Sequence, residues 1–344
     1  MTRMTILAAL AATAALVSGG AGAAEFDFKL HHLLPSKAPA QTQMLEPWER
    51  AVEENSGGRV DIEIFPAMSL GGTPPELVQQ ARDGVVDLIW TVNGYTPGLF
   101  PRTEVFELPF IHTNDSRATN LAMQEMFADD LAEEYDDLQV MFLHVHAGHG
   151  LQMVDKLARS PADLEGTKLR TPSRTGAWII EALGAAPAAM PVPELPQALA
   201  KKVVDGALIP WEIIPPLKLQ DQTQYQIEGA DNTRFGTIVF QVSMNKDRWD
   251  SLPPEIQQAF KDASGPEWWG EVGDVWVASD EVGIKVATDA GNQHVVLTAE
   301  ETEAFRAALQ PVVDRWIEDV SGKGIDGTAL VDKARKMIEK HASN

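Results

Sequence analysis

The chain has 344 residues, 44% of them hydrophobic, with 28 Lys and Arg against 50 Asp and Glu for a formal charge of −22, and no cysteine. A balance this acidic opposes nucleic-acid binding and offers no basic patch to anionic lipid. Without cysteine there is no disulfide framework and no thiol chemistry, while the length suffices for one large core or two ordinary ones.

Residues 1–23 read as a secretory signal peptide, with Arg3 at the start, an apolar run over 6–17 and a small-residue cleavage site at Ala21-Gly22-Ala23. No other run approaches membrane-spanning length, so the mature chain is expected to be exported and soluble, without membrane insertion. Residues 25–34 alternate as a first strand, and a helix over 40–55 stops at Ser56-Gly57-Gly58. A second strand covers 60–65, a helix 74–84 and a largely apolar third strand 85–92. Residues 138–146 form a buried strand leading into Ala147-Gly148-His149-Gly150. The run 167–171 is a strand stopped by Pro172, and a helix over 176–183 ends at Gly184. A proline-spaced connection, a helix ending at 204–206 and an apolar strand 207–211 complete a strand–helix–strand unit. Residues 235–243 read as another strand. From Pro253 the pattern turns helical, continuing past Trp268, Trp269 and Trp276 to about 288, with closing helices over 299–320 and 328–341. Strand–helix alternation with short connections implies an α/β fold with parallel or mixed sheets.

Ligands of such sheets bind at the carboxyl ends of the strands, where Arg170 and Trp211 fall. A guanidinium and an indole there suit a small organic anion, with a forked donor for the carboxylate and an apolar plate for the carbon skeleton. The acidic surface does not forbid this, because exposed charges more than about 8–10 Å away are screened.

The segments GGRVDIEIFPAMSLGG (57–72), DGVVDL (83–88), FELPFI (106–111), DLEGTKLRTP (163–172), ALAKKVVDG (198–206) and MNKDRWDSLPPEIQQAF (244–260) resemble TRAP-transporter solute-binding proteins, in the family's order. The resemblance implies a two-lobed α/β periplasmic binding protein with mixed sheets, an inter-lobe cleft and a long helix spanning both domains. It implies lobe I over 24–147 and 236–275, and lobe II over 148–235 and 276–344. It further implies a monomer in the periplasm, without catalysis or cofactor, that passes a small organic acid to the membrane permease subunits.

The resemblance makes Arg170 the residue that grips the ligand carboxylate; otherwise it is an arginine in an ordinary ion pair. It sets His31 and His32 at a junction facing the cleft, or as capping histidines, and Asn93 beside Trp90 and Tyr95 at another cleft-lining strand end, or as a turn former. Where relatives carry a second cationic clamp, His149 stands as donor. Trp211-Glu212 resembles the pairing in relatives that take keto or hydroxy acids, with Glu212 holding a cation, the ligand's hydroxyl or merely the rim, and with Trp211 otherwise a plain core residue. Gln241 and Asn245 end the 235–243 strand as further contacts, Arg174 faces solvent, and the later tryptophans pack under the long helix. His144, His146 and His149 leave a metal-binding alternative open, since residues two apart share a strand face. An exported enzyme acting on organic acids is the other alternative, but G-x-S-x-G, H-E-x-x-H, the P-loop and G-x-G-x-x-G are all missing.

Overall fold

The computed structural model describes residues 24–342, so the expected signal peptide lies outside the described residues. The first sheet joins β1 (Phe26–His32), β2 (Val60–Phe65), β3 (Leu88–Val92), β4 (Leu138–Val145) and β10 (Val239–Asn245) in the order β2-β1-β3-β10-β4. β1 runs parallel to β2 and β3, and β10 runs antiparallel to β3 and β4. β2 is an edge strand whose Val60 and Ile62 are buried while Asp61 and Glu63 face out, which is the alternation of its sequence. β3 is buried throughout.

The second sheet joins β5 (Gly150–Met153), β6 (Lys168–Thr171), β7 (Ala186–Ala189), β8 (Gly206–Ile209), β9 (Tyr225–Glu228) and β11 (Gln293–Val296) in the order β11-β9-β5-β8-β6-β7. β6 is parallel to both β7 and β8, with Arg170 opposite Ala207. The strand–helix–strand unit is therefore present, with β7 as an extra strand inside the proline-spaced connection. β8 ends before Pro210, which has no N–H to give to a ladder. β10 begins at Val239 rather than 235, because Gly236 adopts φ 128° and residues 234–238 form the crossing between sheets.

The chain passes from the first sheet to the second between Val145 and Gly150 and returns between Glu228 and Val239. A third link is the helix Pro266–Asp289, whose 24 residues span about 36 Å at 1.5 Å per residue. It approaches the first lobe at Gly273, where a Cβ would lie 2.4 Å from the Arg117 backbone nitrogen. It approaches the second at Gly283, where a Cβ would lie 2.1 Å from the Trp211 carbonyl oxygen. This is the long spanning helix expected from the sequence. The final helix Gly327–Ala342 packs on Ser116–Met126 of the first lobe and also on the preceding helix Ala299–Ser321. One buried cluster fills the first lobe and the long helix and continues into the second lobe through Leu195, Ile209 and Trp211; a second, including Leu151, Leu169, Ile180 and Phe305, lies within the other lobe. No helix among the described residues is long and apolar enough to cross a membrane.

Candidate functional site

Between the two sheets lies a cavity of about 400 Å³, counting the open space at its mouth. Its walls come from the end of β3, the two crossings, the ends of β6 and β8, and the long helix. Arg170 enters from the carboxyl end of β6 and is only 2% exposed. Its Nε donates to the Met190 carbonyl at 3.0 Å and its Nη2 to the Tyr95 hydroxyl at 3.4 Å. The same hydroxyl accepts from the Val192 backbone N–H at 2.8 Å. Among the described residues no carboxylate comes within ion-pairing distance of Arg170. Burial pulls its pKa down, with Tyr95 and the more distant Glu194 acting the other way, and a guanidinium stays charged at physiological pH.

The other buried arginine is differently placed. Arg234 meets Glu228 and Asp280 at 3.0 Å each, and its guanidinium lies 5.3 Å over the Trp211 ring. Burial raises Asp280 to about 6, against the pull of Arg234 and of the backbone N–H groups of Trp211 and Glu212.

Polar groups beside Arg170 are neutral donors or acceptors. His146 Nδ1 accepts from the Gly148 backbone N–H at 2.9 Å, which puts the ring proton on Nε2, a buried atom with no protein partner. The His149 ring lies 4.5 Å away, with its own Nδ1 buried and unpartnered. Burial holds both rings uncharged, His149 at about 3 and His146 well below the ordinary value. The remaining wall is aromatic: Trp90 and Phe240 lie 5.3 Å apart at 4°, and Phe240 and Trp276 5.7 Å apart at 14°. His144 fixes this wall by accepting the Trp90 indole N–H at 2.9 Å. Glu212, 5% exposed, is the carboxylic acid of the lining.

Of the residues singled out in the sequence, Arg170, His149, Glu212 and Trp90 line the cavity together. Trp211 does not; it is wholly buried against Arg234 and His294, so the apolar plate is made by Trp90, Phe240 and Trp276 instead. Asn93 and Gln241 also lie outside the lining, because they bond to one another at 2.8 Å and Asn93 donates to the Tyr135 hydroxyl. His32 stands behind the wall, edge-on to Trp90 at 5.8 Å, and bonds Gln41. Asn245 caps the helix after β10. Arg174, expected to face solvent, instead pairs with Glu104 at 2.5 Å and Asp319 at 2.9 Å. Among the described residues no group of three or more His, Asp or Glu is placed to hold a metal ion. Tyr95, His146, Phe240 and Trp276 also line the cavity; Tyr95 was legible only as a neighbour of Asn93 and His146 only as one of the histidine cluster, while Phe240 and Trp276 carried ordinary core patterning.

Residues 30–319 match the family described as bacterial extracellular solute-binding protein, family 7 (DctP). A marine metagenome TRAP solute binding protein specific for aromatic acid ligands, solved with 3-hydroxybenzoate, is 37% identical, with a TM-score of 0.90 over 92% of this chain and 99% of that one. A TRAP solute binding protein from Rhodoferax ferrireducens, solved with copurified benzoate, is also 37% identical, with a TM-score of 0.89 over 92% and 98%. The C4-dicarboxylate-binding periplasmic protein DctP of Rhodobacter capsulatus is 26% identical over 332 residues, 94% of this chain and 97% of that protein. With the match spanning nearly all the described residues, the chain belongs to the DctP family of bacterial extracellular solute-binding proteins, the receptors of TRAP transport.

Proposed function

We propose that this protein is a periplasmic TRAP receptor that captures a small aromatic carboxylate in the cavity and delivers it to the membrane permease. The observation that carries this reading is the buried Arg170 guanidinium, which has hydrogen bonds to neutral oxygens but no carboxylate in ion-pairing distance among the described residues. A buried charge without a counter-charge is costly, and a bound carboxylate supplies one in a forked, charge-assisted geometry. The near-parallel rings of Trp90, Phe240 and Trp276 favour a flat apolar body over a flexible aliphatic one. Benzoate and 3-hydroxybenzoate, the ligands of the two similar structures, have that form. His149 and the His146 Nε2–H supply further neutral donors near the carboxylate. Trp90 is a wall, while His32, Asn93 and Gln241 position the wall from behind. The lobes, divided at the crossings near 147 and 235, close on the acid and offer the closed shape to the permease. The ligand leaves chemically unchanged.

The test is Arg170→Met. Titration calorimetry with benzoate should show affinity falling at least about 100-fold, the scale expected for losing one side of a desolvated charge pair. Thermal unfolding without ligand should stay the same or improve, since the replacement is apolar and similar in length. Unchanged affinity would remove Arg170 from the role, and with it the receptor geometry proposed.

A further inference from the structure

We infer that this receptor captures a proton together with its acid: as the lobes close on the ligand, the Glu107 carboxylate at their seam takes up one proton from water. This rests on the reading above that a bound acid closes the lobes, and it adds a proton site outside the cavity to that reading.

Glu107 ends the turn Thr103–Glu107 of the first lobe and is 1% exposed. Two elements meet its carboxyl. Oε2 lies 2.6 Å from the Thr175 hydroxyl, in the first turn of the second-lobe helix Arg174–Ala182, just beyond the strand that carries Arg170. Oε1 accepts from the Val239 backbone N–H at 3.2 Å, where the return crossing becomes β10. The seam is close-packed: a Cβ at Gly236 would lie 3.2 Å from the Glu107 carbonyl oxygen, and one at Gly94 would lie 2.5 Å from the Ser173 Cβ.

Among the described residues no cation pairs with this carboxyl. Glu104 on the same turn is a second carboxylate, and Arg174 on the facing helix is engaged by Glu104 and Asp319. Tyr135 is a neutral phenol bonded to Thr103 and Asn93, and Lys333 of the final helix pairs with Asp130. In a dry seam beside another carboxylate, the ionised form is strongly disfavoured and the neutral acid is not. The hydrogen bonds suit the acid too. A hydroxyl can donate to a carboxylate or accept from a carboxylic acid, and the Thr175 hydroxyl has the Ser173 hydroxyl 2.8 Å away to receive its own hydrogen. Protonation at Oε2 therefore reverses one hydrogen bond and leaves none unmade.

Burial and Glu104 accordingly raise Glu107 to about 8 in the joined arrangement. Parting the lobes withdraws Thr175 and lets water reach the carboxyl, which returns towards its ordinary value of 4.5. Because the joined value is the higher, closure is favoured at low pH and loses that support as pH rises through about 8. Between the two values the open receptor is ionised at Glu107 and the closed one is not. Each acid anion captured thus brings one proton from solvent to Oε2.

The experiment is titration calorimetry of the mature protein with benzoate at about pH 6.5, in buffers of different ionisation enthalpy. The wild type should take up about one proton per benzoate, and Glu107→Gln, neutral in both arrangements, about none. Wild-type affinity should weaken by up to about tenfold per pH unit between about pH 5.5 and 7.5, while that of Glu107→Gln stays flat. Infrared difference spectra of the wild type should show one carboxylate becoming a protonated carboxyl when benzoate is added, a readout that needs no variant to fold. Benzoate binding without proton uptake would overturn the inference and leave the receptor reading standing. Uptake that persists in Glu107→Gln would give the proton to another group and overturn it as well. Failure of the folded wild type to bind benzoate would bring down the aromatic-acid reading and this inference together.

Discussion

Glu107 sits at the junction of the lobes, accepting from the Thr175 hydroxyl at 2.6 Å and from the Val239 backbone N–H at 3.2 Å. Burial, reinforced by Glu104, raises it to about 8. Because the folded value exceeds the unfolded one, folding is unpenalised below about pH 4.5. Stability then falls by up to about 1.4 kcal/mol per pH unit until about pH 8. Glu107→Gln should therefore match the wild type in melting temperature at pH 5 and exceed it at pH 8; equal curves at both would contradict the assignment. At this scale the sequence was partly legible. Arg170, His149, Glu212 and Trp90 could be found because strand ends and the LRTP motif mark them. Asn93 and Gln241 bond to one another outside the lining, a placement the sequence did not signal because a polar residue at a strand end reads alike in either setting. Trp276 and Phe240 were missed as wall residues because an aromatic on an apolar face reads as core, and these are both core and wall.

The long helix shows how two small contacts set an element's place. Alanine normally gains about 1 kcal/mol over glycine inside a helix. At Gly283 the added Cβ would meet the Trp211 carbonyl at 2.1 Å, and overpacking of that kind costs roughly 1–3 kcal/mol. The steric term wins, so Gly283→Ala should lower the melting temperature. By moving the 211–212 turn it should also weaken aromatic-acid binding several-fold; a stabilised variant with full affinity would refute the contact. The helix itself, β1, β2 and the closing helices were legible from periodicity and stop signals. The four-residue strands β5, β7, β9 and β11 were not, since each holds barely two side chains per face and β7 reads as a proline-broken loop. Their partners, remote in sequence, make them strands.

Across the whole molecule, polar contacts join one lobe to the other around the cavity. Arg174 forks onto Glu104, Thr175 donates to Glu107, and the Tyr95 hydroxyl ties Arg170 to the Val192 backbone. The Arg174–Glu104 pair is mostly shielded from water, so it should favour the joined arrangement by more than a surface pair would. Glu104→Gln touches no ligand, yet it should weaken benzoate binding roughly tenfold by shifting the lobes apart. Calorimetry would measure the affinity, and small-angle scattering of the ligand-free variant should show a larger radius of gyration. An unaltered affinity and radius would assign the pair to local stability alone. The two-lobed plan was readable from motif order, but the packing of Gly327–Ala342 on Ser116–Met126 was not, because no local signal records a contact so remote in sequence.

Arg170, hydrogen-bonded to carbonyl and hydroxyl oxygens with no carboxylate in ion-pairing distance among the described residues, has a practical corollary. On the carboxylate reading proposed above, an acid of the producing cells should travel with the protein through purification. Each preparation is thus its own first screen: solvent extraction of the denatured material samples whatever metabolite the pocket chose, before any compound is added.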